Sequence, residues 1–202
     1  MFITFEGGEG TGKSTQVKLL AGRLRAEGKQ VVTTREPGGT PEAEALRALL
    51  VSGDIGRWSA EAEALLNYAA RDSHLANVIR PALADGKTVI CDRFMDSTRA
   101  YQGYAGGGSM LLIDELERSI VGTTRPTLTL VFDLDPRLGL GRAKLRGGAV
   151  EDRYERKGLA FHQRLRNGFL AIAKSEPRRC TLIDASRSIE DVAHQVWQVC
   201  HG

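Results

Sequence analysis

The sequence predicts a three-layer α/β fold, a five-stranded parallel sheet flanked by helices, and two observations carry that prediction. Five short β-prone runs, at 2–5, 30–33, 88–91, 127–132 and 180–183, are separated by long stretches with helical spacing. That is the rhythm of parallel strands joined by crossover helices. The first run passes directly into the glycine-rich loop Gly7-Gly8-Glu9-Gly10-Thr11-Gly12-Lys13-Ser14 and then into a helical pattern. Val17, Leu20, Ala21 and Leu24 fall at i, i+3, i+4 and i+7 of that helix, and Gly28 is its expected stop.

The second strand leads into Pro37-Gly38-Gly39, a turn signal. A long helix is expected over 59–83, bent or broken before Pro81, with Leu65, Leu66, Ala69, Ala76, Ile79 and Leu83 as its apolar positions. Glycine-rich breaks at 103–108 and 147–148 read as mobile loops within one domain. The 202 residues fit a single domain spanning the whole chain, with a lid at about 142–156.

Composition narrows the function classes. No apolar run approaches the ~20 residues of a membrane span, and residues 1–6 lack the pattern of a secretory signal. Cys91, Cys180 and Cys200 form no CxxC pair, which argues against a disulfide framework or zinc site and for a cytoplasmic protein. A net charge of +3 with no basic-aromatic module argues against nucleic acid as a partner. Arginines outnumber lysines 21 to 7, and the planar guanidinium suits bidentate phosphate contacts.

The glycine-rich loop satisfies G-x-x-x-x-G-K-[ST] between a strand and a helix, the context in which it binds nucleoside triphosphate. Glycines let backbone N–H groups turn toward an anion, Lys13 reaches the β and γ oxygens, and the Ser14 hydroxyl suits Mg²⁺. With Thr15 beside them, residues 7–15 are the expected ATP site. The Asn-Lys-x-Asp element that reads guanine is absent, because Asn67, Asn77 and Asn167 are followed by Tyr, Val and Gly. A small-molecule kinase is the class that remains. The histidines, His74, His162, His194 and His201, show no catalytic spacing.

Ligands of open α/β sheets bind at the carboxyl ends of the strands. Four segments matter there: 34–40 after strand two, Tyr68-Ala69-Ala70-Arg71 on the long helix, Asp92-Arg93-Phe94 with Ser97-Thr98-Arg99-Ala100-Tyr101-Gln102-Gly103 after strand three, and Asp152-Arg153-Tyr154-Glu155 in the lid. In this order they resemble the bacterial thymidylate kinase family over the whole chain.

The resemblance implies direct in-line transfer from ATP to dTMP, giving dTDP for dTTP synthesis, with Mg²⁺, a homodimer through the helix at 59–83 and no phosphoenzyme. It implies that Arg93 bridges the acceptor phosphate and the transferred group. Asp92 would orient Arg93 or a Mg²⁺-bound water, and Glu9 would contact the deoxyribose 3′-hydroxyl or the Mg²⁺ environment. Arg35, Pro37, Arg71, Ser97, Thr98, Tyr101 and Gln102 would line the acceptor nucleotide. Relatives often stack a Phe on thymine where this chain has Asn67, so Tyr68 is the expected substitute. The loop carries no arginine at Gly8, Glu9, Gly10 or Thr11, so a lid arginine, Arg153 or Arg146, is expected to complete charge neutralisation.

Overall fold

The computed structural model describes residues 1–146, with only the backbone of Arg146, and 153–201. The strands are β1 (Phe2–Gly7), β2 (Val31–Arg35), β3 (Thr88–Asp92), β4 (Leu128–Asp133) and β5 (Cys180–Asp184). They form one parallel sheet in the order β2-β3-β1-β4-β5. β1 is central and buried along its whole length, as a strand covered on both faces must be.

One face is covered by α1 (Lys13–Ala26) and α9 (Ile189–His201), whose Val17, Leu20, Leu24, Val192 and Val196 pack on Ile3, Phe5 and Ile90. The expected apolar stripe of α1 is therefore its buried face. Gly28, at φ +79°, follows this helix, where glycine costs nothing. The other face is covered by α3 (Ala60–His74), α4 (Arg80–Ala84), α5 (Met95–Thr98), α6 (Met110–Leu116) and α8 (Leu159–Ser175). α2 (Pro41–Val51) packs on α3, and α7 (Pro136–Arg146) precedes α8.

The long helix begins where its cap dictates, with the Ser59 hydroxyl accepting the Ala62 N–H at 3.1 Å. It is not broken before Pro81. A π turn over Leu75–Ile79, in which Arg80 N–H reaches Leu75 O, carries the chain into α4. The wider turn gives the proline ring room without ending the helix. The buried stripe also differs from the expected one: Ala64, Tyr68, Arg71 and Leu75 face inward, while Leu65 is 49% exposed. Similarly, the expected loop at 103–108 is helical in its first part, because α5 continues as a π turn over Arg99–Ala105 and Gly103 packs against Met110. No helix among the described residues is long and apolar enough to cross a membrane.

Candidate active site

The glycine-rich loop leaves the carboxyl end of β1 and curls with Gly7, Gly10 and Gly12 at φ +138°, +66° and +87°. At Gly10 the loop backbone lies against the Gly139 carbonyl of α7, so a side chain there has no space. Gly12 is restricted differently. No atom of the described residues crowds it, and its left-handed backbone alone disfavours a side chain.

Lys13 bends back over this curl, donating to the carbonyls of Gly7 at 3.1 Å and Gly8 at 2.7 Å and to the Thr11 hydroxyl at 3.2 Å. Burial, reinforced by the Arg93 cation, pulls its ammonium down to about 8; a bound anion reverses that pull. The Ser14 hydroxyl donates to Asp92 Oδ2 at 2.5 Å. Asp92 thus faces the cradle, and its charge also acts on Arg93.

Arg93 is the only non-glycine residue with positive φ among those described, at +71°. Holding it there costs on the order of 1–3 kcal/mol, and the result is a guanidinium aimed back across the cradle. Its Nη1 donates to Gly7 O at 2.8 Å and Ser97 Oγ at 3.3 Å, and Nη2 pairs with Glu9 Oε1 at 3.1 Å. The Tyr101 hydroxyl donates to the same Glu9 oxygen at 2.5 Å. Burial raises the Glu9 carboxyl, but Arg93, Lys13 and Tyr101 outweigh it and draw it down to about 2. The acid inside the anion cradle is therefore an ionised clamp on Arg93.

The turn that presents Arg93 is anchored by Glu6, which the sequence reading passed over. Fully buried at the end of β1, it accepts the Phe94 N–H at 2.7 Å and the Ser97 hydroxyl at 2.6 Å. Burial, followed by the charge of Asp96, pushes its carboxyl well up. Asp96 is itself held by Arg179 at 2.7 Å.

Beyond Arg93 opens a cavity of about 620 Å³ including its mouth, lined by Glu9, Glu36, Pro37, Arg47, Val51, Asn67, Arg93, Ser97, Thr98, Tyr101, Gln102, Tyr154 and Glu155. Arg71, expected in the lining, lies behind it and bonds two of its residues: Nε pairs with Glu36 at 2.8 Å, Nη2 donates to Thr98 at 3.1 Å, and buried Nη1 has no protein partner among the described residues. Glu36 also bonds His74 Nδ1 at 2.9 Å, and His74 Nε2 meets Thr34 at 2.6 Å. His74 is thus buried inside this network.

Three expected site residues are displaced. Tyr68 is fully buried among Phe2, Leu75 and Phe94, on the core side of α3, so it cannot stack on a ligand; Asn67 lines the cavity instead. Arg35 is half exposed and pairs with Glu44 outside the lining. Arg153 is fully buried, bonded to the carbonyls of Leu50, Asp54 and Ile55 and to Glu63. It caps the carboxyl end of α2 and is in no position to meet a phosphate. The side chain of Arg146, with Gly147, Gly148 and Asp152, lies outside the described residues. Arg47 and Glu63, which the motifs did not single out, belong to this region.

A triphosphate cradle on the switch of a parallel sheet, next to a cavity sharing its arginine, defines a P-loop phosphotransferase. The family model described as thymidylate kinase matches residues 5–196. Thymidylate kinase of Caulobacter vibrioides is 56% identical over 198 residues, 98% of this chain and 94% of that protein. The enzyme of a Bradyrhizobium strain is 52% identical over 97% of this chain and 87% of its own. The crystal structure of thymidylate kinase from Ehrlichia chaffeensis superposes with a TM-score of 0.81 at 38% identity, covering 100% of this chain and 98% of that one. The chain belongs to the thymidylate kinase family.

Proposed function

We propose that the chain transfers the γ-phosphoryl group of ATP directly to dTMP, giving ADP and dTDP. The observation that carries this reading is Arg93, whose guanidinium touches the cradle at Gly7 O and lines the neighbouring cavity. One cation is thereby shared between donor and acceptor. ATP takes residues 7–15, with Lys13 as its moving charge. The monophosphate takes the cavity, its phosphate toward Arg93 and Ser97, its sugar beside Tyr101 and Glu9, and its base toward Pro37, Thr98, Gln102 and Arg71.

Phosphoryl transfer of this kind needs positioning and charge neutralisation more than covalent chemistry. The acceptor phosphate is already ionised at neutral pH, so no side-chain base is required. Ser14 and Asp92 offer a hydroxyl and a carboxylate 2.5 Å apart, hard oxygen donors of the kind Mg²⁺ takes. Bound there, Mg²⁺ would neutralise charge on the β and γ oxygens. With Arg153 occupied, Arg146 is the lid arginine of this proposal.

The test is a panel of monophosphates with ATP and Mg²⁺. A lost methyl contact is worth about 10–200-fold, so kcat/KM for dTMP should exceed that for dUMP by at least about tenfold, with dGMP further behind. Parity across the panel sinks the assignment.

We also infer a homodimer through α3 and the adjacent α6, supported by exposed Leu65 (49%) and Leu111 (73%). Light scattering at assay concentration should give twice the chain mass; a monomer refutes it.

A further inference from the structure

We propose that Glu63 is a positioning residue for the acceptor base: it holds the Gln102 amide with its oxygen toward the cavity and fastens the cavity wall at Tyr154 to the same point. The proposal rests on the reading of this cavity as the pyrimidine monophosphate site.

Glu63 lies in the first turn of α3 and is 2% exposed. Its Oε1 receives Arg153 Nη2 at 2.6 Å and Lys157 Nζ at 3.3 Å, and its Oε2 receives Gln102 Nε2 at 2.8 Å and the Tyr154 hydroxyl at 3.0 Å. Four donors thus fill a carboxylate that has about four acceptor positions. A glutamine amide can offer either its nitrogen or its oxygen, and an acceptor-only neighbour selects the nitrogen. Gln102 Nε2 is held at Glu63, so the carbonyl oxygen is what Gln102 has left for the cavity it lines.

That orientation has a chemical consequence. Thymine and uracil carry a donor at N3, whereas cytosine carries an acceptor there. A fixed carbonyl oxygen favours the first pair and rejects the third. The same carboxylate holds Arg153, whose three carbonyl contacts secure the start of the segment bearing Tyr154. Tyr154 meets Tyr101 edge-on with centroids 5.3 Å apart, so one buried charge orients both the amide and the aromatic wall.

Glu63→Gln tests this, because the new amide confronts donors with a donor. Gln102 relieves the clash by turning over, presenting its NH₂ to the cavity. KM for dTMP should rise about 30-fold, with kcat within about threefold, and the dTMP-over-dCMP preference should fall by about tenfold or more.

In a Gln102→Met background Glu63→Gln should add less than about twofold to KM, since the two act as one unit. Should Glu63→Gln fold poorly, Glu63→Gln with Arg153→Met removes the stranded guanidinium and should regain melting temperature while keeping the dTMP defect. Recovery of dTMP KM together with melting temperature overturns the proposal, leaving Glu63 a scaffold residue. Unchanged KM and base preference in Glu63→Gln overturns it too. A wild type that does not favour dTMP over dCMP fails at the acceptor assignment itself, a different result, and takes this proposal with it.

Discussion

Arg93→Ala is expected to lower kcat by about 10³-fold or more while ATP affinity changes only slightly, since transition-state arginines contribute about 10³–10⁵ in phosphoryl transfer. ATP is held by the loop backbone and by Lys13, and Arg93 reaches that loop at one carbonyl, Gly7 O, leaving its N–H groups and Lys13 in place when it is removed. What disappears is the cation between the two nucleotides. The loss has a second part. Glu9, now drawn down to about 2 by Arg93, Lys13 and Tyr101 against its burial, would face the reacting oxygens without its nearest counter-charge. Arg93→Ala combined with Glu9→Gln should therefore recover a measurable fraction of the lost rate.

Arg93→Lys should restore little. A single ammonium cannot reach Gly7 O, Ser97 and Glu9 together as the planar fork does. Steady-state kinetics on the three variants, with ATP binding by calorimetry, decide the matter. A kcat within tenfold of wild type for Arg93→Ala would remove Arg93 from the transferring group.

The strands, the cradle and the carboxyl-end location of the site were legible because each rests on local pattern. A strand-loop-helix junction with glycines at the required positions is determined within a dozen residues, and the cradle forms where it was expected. What escaped depended on residues far apart in sequence. Arg153 stands in a run of basic residues beside Gly147-Gly148 and resembles a solvent-facing lid arginine. Its actual place is set by Glu63, 90 residues earlier, and by the free carbonyls of α2.

Tyr68 was misplaced for a simpler reason. Neighbouring helix positions point about 100° apart, so Tyr68 cannot substitute for a stacking group at Asn67. The signal was available: Ala64, Tyr68, Arg71 and Leu75 are spaced i, i+4, i+7 and i+11, a continuous inward stripe. Glu6, Glu36 and His74 gave no such signal, since their roles exist only once β1, β2 and α3 are brought together.

Arg71→Met is expected to damage both stability and substrate selection. The guanidinium is fully buried between Glu36 and Thr98, and removing one partner of a buried pair costs about 3–5 kcal/mol. At about 2–4 °C per kcal/mol for a chain of this size, the melting temperature should fall by about 6–20 °C. Among the described residues, the residual carboxylate keeps His74 as its side-chain hydrogen-bond neighbour. In the proposed reading binding should fail independently, because buried Nη1 is the one donor that Glu36 and Thr98 leave over behind the cavity wall. The two effects separate in Arg71→Met with Glu36→Gln: neutralising the stranded acid should return much of the melting temperature but none of the dTMP affinity. Full recovery of dTMP KM in that double variant would make Arg71 a scaffold for Glu36 only, and the far end of the cavity would need another reader of the base.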